Sequence, residues 1–160
     1  MKTQRGVFLL EALIGILIFS FGVLALVAMA ATAVTVQADA QFRTEAMNLA
    51  QRVSSDIWTG VDRTKQTING AEMSVVTATS LDDFQHAPTG SNCAFSGGAS
   101  VRPEVLDWEN AVKATLPGSG NGMQQVKVSS ATNNQVTITI CWRAPSDNQV
   151  RHYTLVTYVN

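Results

Sequence analysis

Residues 5–15 read Arg5-Gly6-Val7-Phe8-Leu9-Leu10-Glu11-Ala12-Leu13-Ile14-Gly15, and the apolar run they open continues to Val36. Between Val7 and Val36, 24 of 30 residues are apolar and Glu11 is the one charge. At about 1.5 Å per residue, Val7–Ala31 spans roughly 37 Å as a helix, enough to cross a hydrocarbon core of about 30 Å. A cleavable secretory signal carries an apolar region of only about 7–15 residues, so the run reads as a retained transmembrane helix. Lys2 and Arg5 precede it, and the next basic residue is Arg43. That asymmetry places the short basic end in the cytoplasm and exports the remainder.

Beyond this block roughly 50 of 130 residues are apolar, which suits a small water-soluble domain. The 160-residue chain carries 11 Lys+Arg against 12 Asp+Glu, a formal net charge of −1. Bulk electrostatics therefore disfavours a nucleic-acid binder, and the head alone has 7 basic against 8 acidic residues. The length and the uneven apolar placement describe one domain on a membrane-inserted stem. An ordinary soluble enzyme is excluded.

A carboxylate at bilayer depth costs about 2.5–3.5 kcal/mol, and such residues usually mark a functional pairing. Its neighbours give Glu11 a context. A short basic leader ends in Gly6, apolar residues follow, and Glu11 is the fifth residue after that glycine. This string resembles the class III signal of type IV prepilins. The resemblance implies cleavage between Gly6 and Val7 by prepilin peptidase, followed by N-methylation of Val7, where the family usually has Phe. It implies that Lys2 and Arg5 are leader charges, and that Glu11 pairs with the N-terminal ammonium of a neighbouring subunit. Cutting after Gly6 would create a cation in the apolar layer, and pairing it with the anion relieves both desolvation penalties and fixes axial register.

After Val36 the sequence turns polar without losing helical period. Phe42, Ala46, Leu49, Ala50, Val53 and Ile57 recur at spacings of three and four, an amphipathic stripe expected to face the head. No proline precedes Thr59, and Thr59-Gly60 supplies a stop, so the spacing predicts a helix from about Val7 to Trp58, roughly 78 Å long. Gly15 and Gly22 are its candidate soft points. The expected division is a leader at 1–6, a membrane half at 7–36, an amphipathic half at 37–59 and a globular head at 60–160.

Within the head, Asn69-Gly70 reads as a tight turn and 87–100 as an exposed loop. Pro103 opens a second, short helix with Val105, Trp108, Val112 and Leu116 on one face, ended by Leu116-Pro117-Gly118. Alternation predicts strands at Val126–Val128, Val136–Trp142 and Val150–Val159, with an Asn133-Asn134 turn, joined as an antiparallel meander. The face carrying Val136, Ile138, Ile140 and Trp142 is expected to pack on the stem. The fold class is α+β. Asp107-Trp108-Glu109, Leu116-Pro117-Gly118 and the strand Thr-Ile-Thr-Ile-Cys-Trp-Arg ending at Arg143 are similar to PilV-type minor pilins, with Ser119 where the family has a second Gly. That resemblance implies the type IV pilin ladle fold and a place in a pilus-priming subcomplex at the tip. It implies as partners other minor pilins, the major pilin and the inner-membrane assembly platform. The expected location is the inner membrane, single-pass with a periplasmic C-terminus, then the fibre (the fimbrium). A minor pseudopilin of type II secretion is the close alternative. A signal-anchored periplasmic binding module or enzyme is the distant one.

Cys93 and Cys141 are an even pair in an exported domain, which implies a disulfide; a metal pair lacks histidines at ligand spacing. It would stabilise the head by about 4 kcal/mol in the chain-entropy account and pin the turn-rich loop onto the sheet, opposite Trp142. No hydrolase, zincin or phosphate-loop motif is present, so neither catalytic residue, metal nor cofactor is expected. His86 and His152 read as surface or turn residues. Asp82-Asp83 and Asp147-Asn148 lack EF-hand spacing and read as solvated turns.

Overall fold

The structure, a computed structural model, describes residues 5–145 and 148–160, with residues 5–7 described by backbone. Lys2, most of the expected leader and Asp147 lie outside the described residues. Helix α1 runs Arg5–Gly60, two residues beyond the expected span at each end. Within α1 the chain divides, between Ala40 and Gln41, into two compact units.

In the first unit every side chain from Phe8 to Gln37 is exposed, although the segment is almost wholly apolar. Its best window has a mean hydropathy of 2.7, long and apolar enough to cross a membrane. The few polar residues in it bond to their own helix. The Ser20 hydroxyl donates to the Ile16 carbonyl at 2.7 Å and the Thr32 hydroxyl to Ala28 at 2.8 Å. Thr35 donates to the Thr32 carbonyl at 2.8 Å. Back-bonding of this kind removes the cost of a hydroxyl in lipid, where water cannot satisfy it.

In the second unit the rest of α1 buries the expected stripe: Ala46, Leu49, Ala50, Val53 and Ile57 are each at most 9% exposed, with Phe42 at the margin. Helix α2, Ala78–Asp82, brings Leu81 into the same core, and Phe84 follows just beyond it. Helix α3, Pro103–Thr115, starts on its proline and adds Val105, Trp108 and Val112. Glu104 in its first turn and Lys113 in its last complement the helix dipole. Strands β5 (Gln124–Ser129), β6 (Gln135–Trp142) and β7 (Arg151–Tyr158) form an antiparallel sheet in that order, as the alternation predicts. Val126, Ile138 and Leu155 sit in register across it. Val136, Ile138, Ile140 and Trp142 share one buried cluster with the α1 stripe. Asn133 and Asn134 take φ values of 53° and 52°, the left-handed turn expected there.

Two hairpins depart from the expected layout of 60–103. β1 (Arg63–Ile68) and β2 (Ala71–Val76) pair through Asn69-Gly70, whose φ values of 52° and 82° suit a type I′ turn. The turn is legible from the sequence, but its strands are exposed except at the end of β2, where Val76 enters the core, and carry no alternating signature. The 87–100 stretch, expected as a loop, is largely exposed yet contains the hairpin β3 (Thr89–Ser91) and β4 (Ala94–Ser96). Gly90 permits it: a Cβ there would fall 2.2 Å from the Ala94 carbonyl oxygen.

Trp108 is fully buried. Trp108→Ala should cost about 3–5 kcal/mol, measured by denaturant unfolding of the detergent-solubilised chain. Val101→Ala, at a residue 74% exposed, should change stability by under about 0.5 kcal/mol.

Candidate functional site

Two places collect the chemistry. The first is the beginning of α1. Gly6 and Val7 lie in the helix backbone, and Glu11 follows one helical turn after Val7, about 6 Å along the axis. The Glu11 side chain is exposed among Phe8, Leu9, Leu10 and Ile14, all exposed as well. Gly15, Ile18 and Gly22 continue its stripe at helical spacing, and a Cβ at either glycine would meet nothing within 4 Å. No packing inside the chain therefore calls for glycine at these positions, and the space they leave faces outward.

The second place is the outer face of the β5–β6–β7 sheet. Cys93 and Cys141 form a disulfide with Cα atoms 5.8 Å apart. Cys141 alternates with Trp142 along β6, so the bond leaves from the face opposite the core. It holds the tip of the β3–β4 hairpin against the sheet. Alongside it, the Phe95 N–H donates to the Gly122 carbonyl at 2.8 Å, and the Gln125 side-chain amide donates to the Ala87 carbonyl at 2.9 Å. Between hairpin and sheet lies a cleft of about 260 Å³ whose walls include Asn92, Gln125, Thr139, His152 and Thr154. His152 is exposed, as expected.

His86 is not a surface residue. It is buried, its main chain bridging to Val126 in both directions at 2.9 and 3.0 Å. Its Nδ1 accepts from the Ser100 N–H at 3.4 Å, and its Nε2 lies 3.7 Å from Glu109 Oε1. Lys113 holds that carboxylate at 2.7 Å from the next turn of α3. Burial pushes the His86 imidazole below its ordinary pKa of 6.5, Glu109 opposes the shift and Lys113 adds to it. No motif in the sequence marks this cluster, because its members come from three separate segments. Asp82 and Asp83 are exposed, and the Gln85 amide donates to Asp82 at 3.3 Å. Among the described residues no three His, Cys, Asp or Glu side chains gather as a metal site.

No family model, curated protein or solved structure matches this chain.

Two outcomes follow from the geometry. Reducing the disulfide, or replacing both cysteines with serine, should lower stability by about 4 kcal/mol and open the 87–100 segment to proteolysis. Because the pKa of His86 is depressed on folding, the unfolded chain takes up its proton first. Stability is present above about pH 6.5 and is lost as the pH falls from there toward the folded-state value. In His86→Phe that slope below about pH 6.5 should flatten, read as denaturation midpoints across a pH series.

Proposed function

We propose that this chain is a minor pilin of a type IV pilus, made as a membrane-held precursor and cut after Gly6 by prepilin peptidase. Val7 then becomes the methylated N-terminus, and the chain helps other minor pilins prime the fibre. On this reading α1 with the sheet of the head is the ladle fold of type IV pilins. One observation carries the proposal: Glu11 is the lone carboxylate in an otherwise apolar, fully exposed stretch of helix, one turn beyond a Gly-Val junction.

An anion there is costly in lipid unless a cation meets it. Lys2 and Arg5 stand on the leader side of the junction, so cleavage would remove them and leave the new ammonium of Val7. The charges of adjacent subunits then neutralise one another at one stagger, while other staggers strand both. The outward-facing apolar surface from Phe8 to Val36 suits lipid first and neighbouring helices afterwards.

The test is mass spectrometry of the mature chain from cells carrying the peptidase. Loss of residues 1–6 with a methylated Val7 is expected, and an intact Met1 would overturn the reading. Glu11→Ala should be processed normally yet enter sheared fibres at least tenfold less than the unsubstituted chain; equal entry would remove the pairing role.

A further inference from the structure

The floor of the cleft between the β3–β4 hairpin and the sheet is one row of residues in register. Gln125 of β5 pairs with Thr139 of β6, and Thr139 with Thr154 of β7. The next row sets His152 beside Cys141, whose disulfide to Cys93 anchors the hairpin wall. Phe95 stands on that wall. Gln125 is 7% exposed, yet half of its amide is unused. Its nitrogen donates to the Ala87 carbonyl at 2.9 Å and to that of Thr89 at 3.5 Å. Carbonyls only accept, so these contacts fix which end of the amide is nitrogen. Oε1 is left as an acceptor without a partner among the described residues, on a side chain that borders the cleft. Beside it the Thr139 and Thr154 hydroxyls lie 3.4 Å apart, and either can donate.

These groups set the chemistry of an occupant. Among the described residues that line the cleft, His152 is the one titratable side chain, so an ionic ligand would find no carboxylate, ammonium or guanidinium to pair with. A hydrocarbon would strand the acceptor of Gln125 and the two hydroxyls. Gln125 asks for a donor, whereas the threonines take either a donor or an acceptor. A ligand hydroxyl meets both demands; a carbonyl or an N–H meets one. Adjacent strands stand about 4.8 Å apart, so spanning the row takes several hydroxyls on one rigid frame. The cleft volume of about 260 Å³ falls just under the roughly 300–1,000 Å³ of drug-sized sites, which admits one ring.

We propose that this cleft binds one uncharged hexose ring, its hydroxyls on the Gln125–Thr139–Thr154 row and its C–H face toward Phe95. The hairpin carbonyls hold Gln125 before a ligand arrives, so little side-chain freedom is lost on binding. The disulfide keeps the wall in place over the floor. The proposal uses no residue of α1 and stands apart from the pilus reading.

The experiment titrates glucose, galactose and mannose, each also as its methyl glycoside, into the full-length chain. The detergent is zwitterionic and carries no sugar headgroup, and binding is read by calorimetry and saturation-transfer NMR. At least one hexose should bind with a dissociation constant on the order of 1 mM, indifferent to added salt. Retention of its methyl glycoside marks the end of a glycan as the source, and loss marks the free sugar. Gln125→Met should weaken binding at least tenfold and Thr154→Val at least threefold, with unchanged circular dichroism. Thr154 is exposed, so its variant tests the cleft even where Gln125→Met loosens the hairpin. Lys127→Ala, on the same face of β5 beyond the cleft, should leave binding unchanged. No binding up to about 50 mM sugar would overturn the proposal. So would binding of glucuronate in place of the neutral sugars, or binding indifferent to both cleft variants.

Discussion

From Phe8 to Gln37 helix α1 is exposed all round and is long and apolar enough to cross a membrane, and in a hydrocarbon layer each polar group would need a partner of its own. Ser20, Thr32 and Thr35 find theirs one turn back along α1. Glu11 has no hydrogen-bond or ion-pair partner shown among the described residues, and a carboxylate can only accept, so it cannot bond back to a helix carbonyl as a hydroxyl does. Everything proposed about assembly follows from that asymmetry. The hydroxyls are neutral passengers in the apolar segment, whereas the acid creates a demand that another chain can meet.

The same helix serves a second environment beyond Ala40. There the apolar residues narrow from the whole circumference to a stripe, and Ala46, Ala50 and Val53 join one buried cluster with residues of the sheet and α3. Small residues on the stripe let Trp108, Trp142 and Phe84 fill the space between the layers. Tertiary packing, rather than propensity alone, is what stabilises this half of the helix. The disulfide and the His86 bridge then fasten the 84–100 segment over the outer face and one edge of the sheet. What is sealed and what is left open on the head are thus decided by two tethers.

Much of this was readable residue by residue. The apolar run, the stripe, the proline-initiated α3 and the three alternating strands each repeat a periodic signal long enough to override local ambiguity. Asn69-Gly70 and Asn133-Asn134 announced turns because few other residues tolerate positive φ. The strands of the two small hairpins give no such signal, since apart from Val76 at the end of β2 they bury no residue and so need no alternation. His86 was misplaced for a related reason: its burial depends on Val126, Ser100 and Glu109, none of them a sequence neighbour.

The chain on its own determined the stem, its lone carboxylate, the core-facing positions and the pairing of two cysteines, because local period and elementary charge costs dictate them. Only the folded molecule decided that the 87–100 segment contains a hairpin clamped to the sheet, that the histidine preceding it is buried, and that His86 bridges to β5 while β7 has no paired strand on its far side among the described residues. Those outcomes rest on contacts between segments far apart in the chain. Hydrogen-bond phase and closeness between such segments have no counterpart in the spacing of residues along a single strand or helix.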